Sequence, residues 1–239
     1  MILVLETSGL SSGYLEDVLV LHDVAVAARD RQITCIIGAN GVGKSTLLRT
    51  IFGLLKPLKG SVTYDGNNIT GRAPYDLIRM GISFIPQLRS IFPDLTVQEN
   101  LELAGWSCRN EKKRLEDTIR SIYERYPKLE TVKRKKAGVL SGGEQRLLEI
   151  LRSLVTNPKT MLIDEPTAGL APQLTQSVYK ELAKLKEEGM TILLVDQNIR
   201  DAVALSDYVY VLELGRNKLE GPREGLEKDL EQIVRGMFG

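Results

Sequence analysis

The sequence predicts an α/β protein built on a mostly parallel sheet, with a helical stretch inserted in its middle. Three observations lead there. The short apolar runs "TCIIG" (34–38), "MLIDE" (161–165) and "TILLV" (191–195) have the length and composition of strands buried on both faces. Amphipathic helical stretches alternate with these strands, and that alternation favours parallel pairing. Between segments of strand character, residues from about 95 to 155 read as helix almost throughout.

In chain order, residues 1–37 and 60–85 are strand-like, with the turn signal "YDGNN" (Tyr64–Asn68) among them. After Gly43, the residues Leu47, Leu48, Ile51, Leu54 and Leu55 recur at helical spacing, so a helix is expected until "KPLKG" stops it. "EKKRLEDTIRSIYERYPKL" is charged and amphipathic, and Pro127 interrupts it. The basic run "KRKK" (Lys133–Lys136) reads as a solvated turn ahead of a helix in "LSGGEQRLLEILRSLVTNP". After "MLIDE" comes a helix with Leu174, Val178, Leu182 and Leu185 on one face. The strand Thr191–Val195 and a hairpin around "VLELGRNKLEG" follow.

Composition narrows the function classes. Lys and Arg total 32 against 31 Asp and Glu, so no global basic field points to a nucleic acid. The apolar runs are far too short to span a membrane. "MILVLETSGL" lacks a basic leader and reads as a first strand rather than a secretion signal. Cys35 and Cys108 are far apart and have no metal-binding spacing. As free thiols, with Cys35 an inert core residue, they fit a reducing cytoplasm.

"GANGVGKST" (Gly38–Thr46) fits G-x-x-x-x-G-K-[ST], with a buried strand before it and a helix after it. Glycines let the backbone wrap a phosphate with its N–H groups inward, and the helix N-terminus adds the positive end of its dipole. Lys44 can reach the β- and γ-phosphates, and the Ser45 hydroxyl can ligate Mg²⁺. This motif predicts nucleoside triphosphate binding through Gly38, Asn40, Gly41, Gly43, Lys44, Ser45 and Thr46. "MLIDE" adds Asp164 and Glu165 at the C-terminal end of a strand, where parallel sheets bind ligands. Neighbouring strand residues point to opposite sides. The two carboxylates can therefore divide the work, Asp164 holding Mg²⁺ and Glu165 polarising the attacking water. "LSGGEQ" (Leu140–Gln145) holds an S-x-x-E capping box. A cap does not require two glycines in the first turn, where they weaken a helix. Exposed N–H groups at a positive helix end would make a second anion site, one that two facing chains could share.

Together these motifs resemble the ATP-binding subunits of ABC transporters over essentially the whole chain. "GANGVGKST" is similar to the Walker A loop, "LSGGEQ" to the family signature and "MLIDEP" to the Walker B strand with its catalytic glutamate. Gln87 in "FIPQ" is similar to the Q-loop glutamine, a further metal ligand, and Tyr14 in "GYLEDVLVLHDV" to the aromatic residue that stacks on adenine. The resemblance implies a P-loop ABC ATPase core (1–87 and 156–239) with an antiparallel β subdomain, and a helical signature subdomain inserted at 88–155. It implies a head-to-tail dimer in which Ser141, Gly142 and Gly143 touch the γ-phosphate held by Lys44 of the other subunit. "YPKL", "GLAP" (Gly169–Pro172) and the "V-x-QN" strand end resemble the LivF-type ATPases of branched-chain amino-acid importers, although many members of that branch carry Glu at the position of Gln87. Such a subunit would use Mg²⁺ with ATP. It would pair with a second ABC ATPase and two membrane permeases, indirectly with a solute-binding protein, and sit peripherally on the cytoplasmic face of the membrane.

Two positions depart from the usual pattern of that family. Gln197 stands where a histidine usually contacts the γ-phosphate, and Ala171 where an Asp usually crosses the dimer interface. A glutamine amide can position water but cannot become a cation near neutral pH. Either Glu165 suffices with Gln197 as its helper, or a partner carrying histidine supplies most of the hydrolysis. The rival readings are a non-transport ABC ATPase and an ATP-dependent dimerisation switch with little hydrolysis of its own.

Overall fold

The computed structural model describes residues 2–15, 18–88 and 90–226. Glu16 and Asp17 of the stretch around Tyr14, Arg89 and residues 227–239 of the expected core lie outside the described residues, as does Met1.

Two sheets organise the molecule. The larger has the order β11-β10-β4-β9-β8-β7, formed by β4 (Ile33–Ile37), β7 (Ile82–Ile85), β8 (Thr160–Asp164), β9 (Thr191–Val195), β10 (Tyr208–Glu213) and β11 (Arg216–Pro222). All its neighbours pair in parallel except the β10–β11 hairpin. Every residue of β4, β8 and β9 is buried, which explains their mostly apolar composition. The smaller sheet is antiparallel: β1 (Leu3–Leu15) pairs with β2 (Val18–Val24), β3 (Ala27–Arg29) and β5 (Lys59–Tyr64), and β5 with β6 (Asn67–Asn68).

Strand alternation sorts the core. Leu162 and Leu193 face the cluster under α1 (Lys44–Ile51) and the smaller sheet, with Leu5, Leu21, Leu47 and Ile51. Ile192 and Leu194 face the opposite cluster, where α7 (Pro172–Glu187) contributes Val178, Leu182 and Leu185. A third cluster belongs to the middle of the chain. It holds Val97 and Leu101 of α3 (Val97–Ala104), Ile119 and Ile122 of α4 (Lys112–Arg125), Leu129 of α5 (Pro127–Thr131), and Leu148 and Leu151 of α6 (Gly142–Leu154).

Two local expectations are corrected. The helix after Gly43 ends at Ile51, so Leu54 and Leu55 lie beyond it. Gly53 takes φ +72° there, and a Cβ would meet the Arg72 carbonyl oxygen at 1.9 Å, so the turn is fixed by close backbone approach rather than by "KPLKG". Within the strand-like 60–85 stretch sits a short helix, α2 (Pro74–Arg79), started by a proline at its first position. Helix α8 (Ile199–Leu205) follows β9.

The parallel register brings the ends of β4, β7, β8 and β9 to one edge, with Asp164 opposite Val195 and Ile36 opposite the same Val195. The loops after these four strands carry Gly38–Gly43, Gln87, Glu165 and Gln197, residues up to 159 positions apart in sequence (Gly38 to Gln197).

Candidate active site

The phosphate loop leaves β4 at Ile37 and enters α1 at Lys44. Gly43 is the N-cap with φ +104°, and a Cβ there would approach Leu21 Cδ2 to 2.6 Å, so only glycine fits both the angle and the space. Helix α1 has no side-chain cap and no acid in its first turn. Its first N–H groups are therefore left for an external anion. Lys44 Nζ donates to the Gly38 and Ala39 carbonyl oxygens at 2.8 and 3.0 Å, which places the ammonium inside the loop. Burial holds its pKa below the ordinary lysine value, opposed by the charges of Glu165, Asp164 and Asp196. Tyr14 lies half-exposed beside α1, its hydroxyl accepting from Arg49 Nη1 at 3.1 Å and from Thr46 Oγ1 at 3.5 Å.

Across the loop, Ser45 Oγ donates to Asp164 Oδ1 at 2.9 Å. Asp164 Oδ2 is buried and has no hydrogen-bond partner among the described residues. A buried carboxylate oxygen without a donor suits a cation, so Ser45 and Asp164 fit a divalent metal with hard oxygen ligands. Burial raises the Asp164 pKa, and the Ser45 hydrogen bond opposes that rise.

Strand β8 and its side-chain alternation end at Asp164. Glu165 has left β8 with φ +46°, a left-handed conformation that costs on the order of 1–3 kcal/mol for a residue with a side chain. Its N–H donates to the Val195 carbonyl at 2.7 Å, and its Oε2 accepts from Gln87 Nε2 at 2.6 Å. The two carboxylates thus share one pocket with Lys44 instead of facing opposite sides of the sheet. Burial raises the pKa of Glu165, with Lys44 acting against it.

Gln197 is exposed just past β9, and Ala171 is the exposed N-cap residue of α7. The residue before Gln197 is the more deeply engaged one. Asp196 is fully buried and accepts from the Thr167 hydroxyl at 3.0 and 3.1 Å, the Tyr179 hydroxyl at 3.1 Å and the Asn198 N–H at 3.0 Å. It joins the loops after β8 and β9 to α7. Sequence reasoning missed this role because the polar partners come from three separate elements.

The signature residues form a separate constellation. Ser141 is the N-cap of α6: its hydroxyl accepts from the Glu144 N–H at 3.4 Å, and the Glu144 carboxylate accepts from the Ser141 N–H at 2.8 Å and hydroxyl at 2.7 Å. Those bonds lower the Glu144 pKa, the Ser141 hydroxyl contributing most. Among the described residues no hydrogen bond joins Ser141, Gly142 or Gly143 to the phosphate loop. Gly143 also has a packing reason to be glycine, since a Cβ would meet Leu174 Cδ2 of α7 at 2.5 Å.

Residues 21–168 match the ABC transporter family. The chain is 40% identical over 205 residues to the high-affinity branched-chain amino acid transport ATP-binding protein BraG of Pseudomonas aeruginosa, covering 86% of this chain and 87% of that one. It is 37% identical to the probable branched-chain amino acid transport ATP-binding protein LivF of Archaeoglobus fulgidus, over 98% of this chain and 99% of the relative. A solved ATP-binding cassette of an ABC transporter in its ADP conformation superposes with a TM-score of 0.86 at 31% identity, covering 99% of this chain and all of the other. Similarity at this level runs through the strands, the loops at their ends and the helices between them, and on that ground the chain belongs to the ABC transporter family as an ATP-binding and ATP-hydrolysing transporter subunit.

Proposed function

We propose that this chain powers an importer of branched-chain or other amino acids, hydrolysing ATP in a composite site shared with a second ABC ATPase. The observation that carries the hydrolytic part is the convergence of Lys44, Ser45, Gln87, Asp164 and Glu165 on one sheet edge. The transport part is supported by the similarity to BraG and LivF, ATP-binding proteins of branched-chain amino acid transport.

The phosphate chain of ATP lies against the N–H groups of the Gly38–Gly43 loop and of the first turn of α1, with Asn40, Gly41 and Thr46 lining it and Lys44 turned from its loop carbonyls to the β- and γ-phosphates. Tyr14 offers its exposed ring to adenine. Ser45, Asp164 and Gln87 would hold Mg²⁺, which would supply neutralisation of phosphate charge. Glu165 accepts a proton from water as the water oxygen attacks the γ-phosphorus. The bond from that phosphorus to the β–γ bridging oxygen breaks, ADP leaves, and the proton passes from Glu165 to inorganic phosphate. Burial, by raising the pKa of Glu165, makes it a stronger base than a solvated carboxylate. Gln197 orients the water from the adjacent strand end. Ser141, Gly142 and Gly143 present α6 to the γ-phosphate bound by the opposite subunit.

ATP-driven closure and reopening of that dimer moves two membrane permeases, served by a solute-binding protein, from the cytoplasmic face. The nucleotide-binding core is 1–87 with 156–239, and the helical subdomain is 88–155. Its separate apolar cluster supports this division. Among the described residues no helix is long and apolar enough to cross a membrane, which leaves the membrane-spanning task to other subunits.

The test is Mg-ATP turnover of the purified chain over a wide range of protein concentration, beside Glu165→Gln. A specific rate that climbs with concentration and falls about 10²–10³-fold in the variant is the expected result for two copies forming working sites. A rate flat at background despite tight ATP binding means that a different ATPase must sit opposite.

A further inference from the structure

The guanidinium of Arg146, on the second turn of α6, is almost fully buried and fans over the backbone of the catalytic strand end. Nε donates to the Pro166 carbonyl at 2.8 Å, and Nη2 to the carbonyls of Asp164 and Glu165 at 3.4 and 3.3 Å. Nη1 reaches the Pro86 carbonyl at 3.2 Å and the Glu149 carboxylate at 2.6 Å. Glu149, one turn further along α6, spends its other oxygen on the Ser90 N–H at 2.5 Å, and Arg152 donates to the carbonyl of the same Ser90. One face of α6 therefore grips both sides of the loop that carries Gln87 and three consecutive carbonyls around Glu165. The N-terminus of the same helix carries the signature.

We propose that Arg146 and Glu149 are a positioning pair: they hold Glu165 in its left-handed backbone conformation against Gln87 and make any movement of the signature helix a movement of the catalytic glutamate. The inference rests on Glu165 being the base. Its physical content is simple. A left-handed glutamate persists only where its surroundings over-determine it, and here three bonds from one rigid fork fall on the consecutive carbonyls of Asp164, Glu165 and Pro166. The Glu165 carbonyl accepts from the Ala168 N–H at 3.2 Å as well, so the guanidinium and this turn hold it together. A signature that engages nucleotide on the opposite subunit then tightens or loosens the base of its own subunit. That makes the two sites of a dimer interdependent.

Arg146→Lys keeps a charge opposite Glu149 but cannot reach four carbonyls at once. In the full chain it is expected to lower kcat about tenfold or more with KM for ATP within about twofold, and to lower the unfolding midpoint by several degrees because buried carbonyls lose donors. In a Glu165→Gln background the same substitution should cost less than about twofold, because the residue it positions is already disabled. Amide exchange of the segments 86–92 and 164–168 should quicken together, without nucleotide and independently of turnover. Should Arg146→Lys fail to fold, Arg146→Met with Glu149→Leu buries no charge and is read the same way. Parent kcat in a folded variant overturns the proposal. So does a kcat loss of equal size in the Glu165→Gln background, or failure of both variants to fold, since the pair is then only a structural staple. Parent kcat in Glu165→Gln alone instead overturns the assignment of the base, a separate result.

Discussion

Helices α1 and α6 both begin in glycine-rich motifs, and their N-termini are opposites. Helix α1 starts bare: a left-handed glycine, no capping side chain and no acid in the first turn. Helix α6 starts with a complete capping box, Ser141 and Glu144 satisfying each other's polar groups. The same backbone physics puts a positive dipole end at each. The difference is who supplies the cap. The bare terminus leaves stability unclaimed so that phosphate can claim it, and the acids near it, Asp164 and Glu165, are held above their ordinary pKa values chiefly by burial. The capped terminus holds itself together and carries an acid below its ordinary value. One end needs an external group to complete its cap; the other is complete by itself.

The comparison breaks most visibly at Lys44. Lys44→Ala removes the only side-chain cation inside the bare loop among the described residues, and ATP affinity, read by equilibrium binding, should fall about 100-fold while the fold is retained. Ser141→Ala probes the other end. Losing the cap should cost about 1 kcal/mol, or roughly 2–4 °C in unfolding midpoint. If the signature serves a facing subunit, turnover should drop about tenfold while ATP binding to the monomer is unchanged. Turnover equal to the parent would reduce α6 to an ordinary capped helix.

The smaller effects concern the acids themselves. Asp164→Asn removes a buried carboxylate whose pKa is raised, so it should raise the midpoint of the nucleotide-free chain even as it abolishes metal-dependent turnover. Glu144→Gln should lower the midpoint at neutral pH by roughly 1–2 °C. The signs follow from linkage. Glu144 titrates below its ordinary 4.5 in the fold, so its contribution is complete above that value and is lost as pH falls through the lowered one. The gap between parent and Glu144→Gln should therefore close as pH falls below 4.5 and through the lowered value. Asp164 is raised from 3.8, so its cost is present at neutral pH and disappears on acidification, and the gap between parent and Asp164→Asn should close in the same direction from the opposite sign.

The readable part of this molecule was the part written in contiguous residues. Strands buried on both faces, the phosphate loop between a strand and a helix, the capping box, the carboxylate pair and the amphipathic faces of α4, α6 and α7 all follow from local composition and period. Each is a constraint that neighbours in sequence impose on one another. The short helix at Pro74–Arg79 and the early stop of α1 at Gly53 were not legible. The first is a single turn and a half, too brief for a period. The second is set by the Arg72 carbonyl, which lies nineteen residues from Gly53 (72 − 53). Tertiary structure alone decided that Gln87 bonds Glu165, that Ser45 bonds Asp164, that Asp196 gathers Thr167 and Tyr179, and that Arg146 of α6 grips the backbone at the end of β8. The sequence determined which chemical groups stand at the ends of which strands. Only the parallel register, by bringing four of those ends to one edge, decided which of the groups meet, because hydrogen bonds depend on distance in space and the chain encodes that distance only through the packing of the whole.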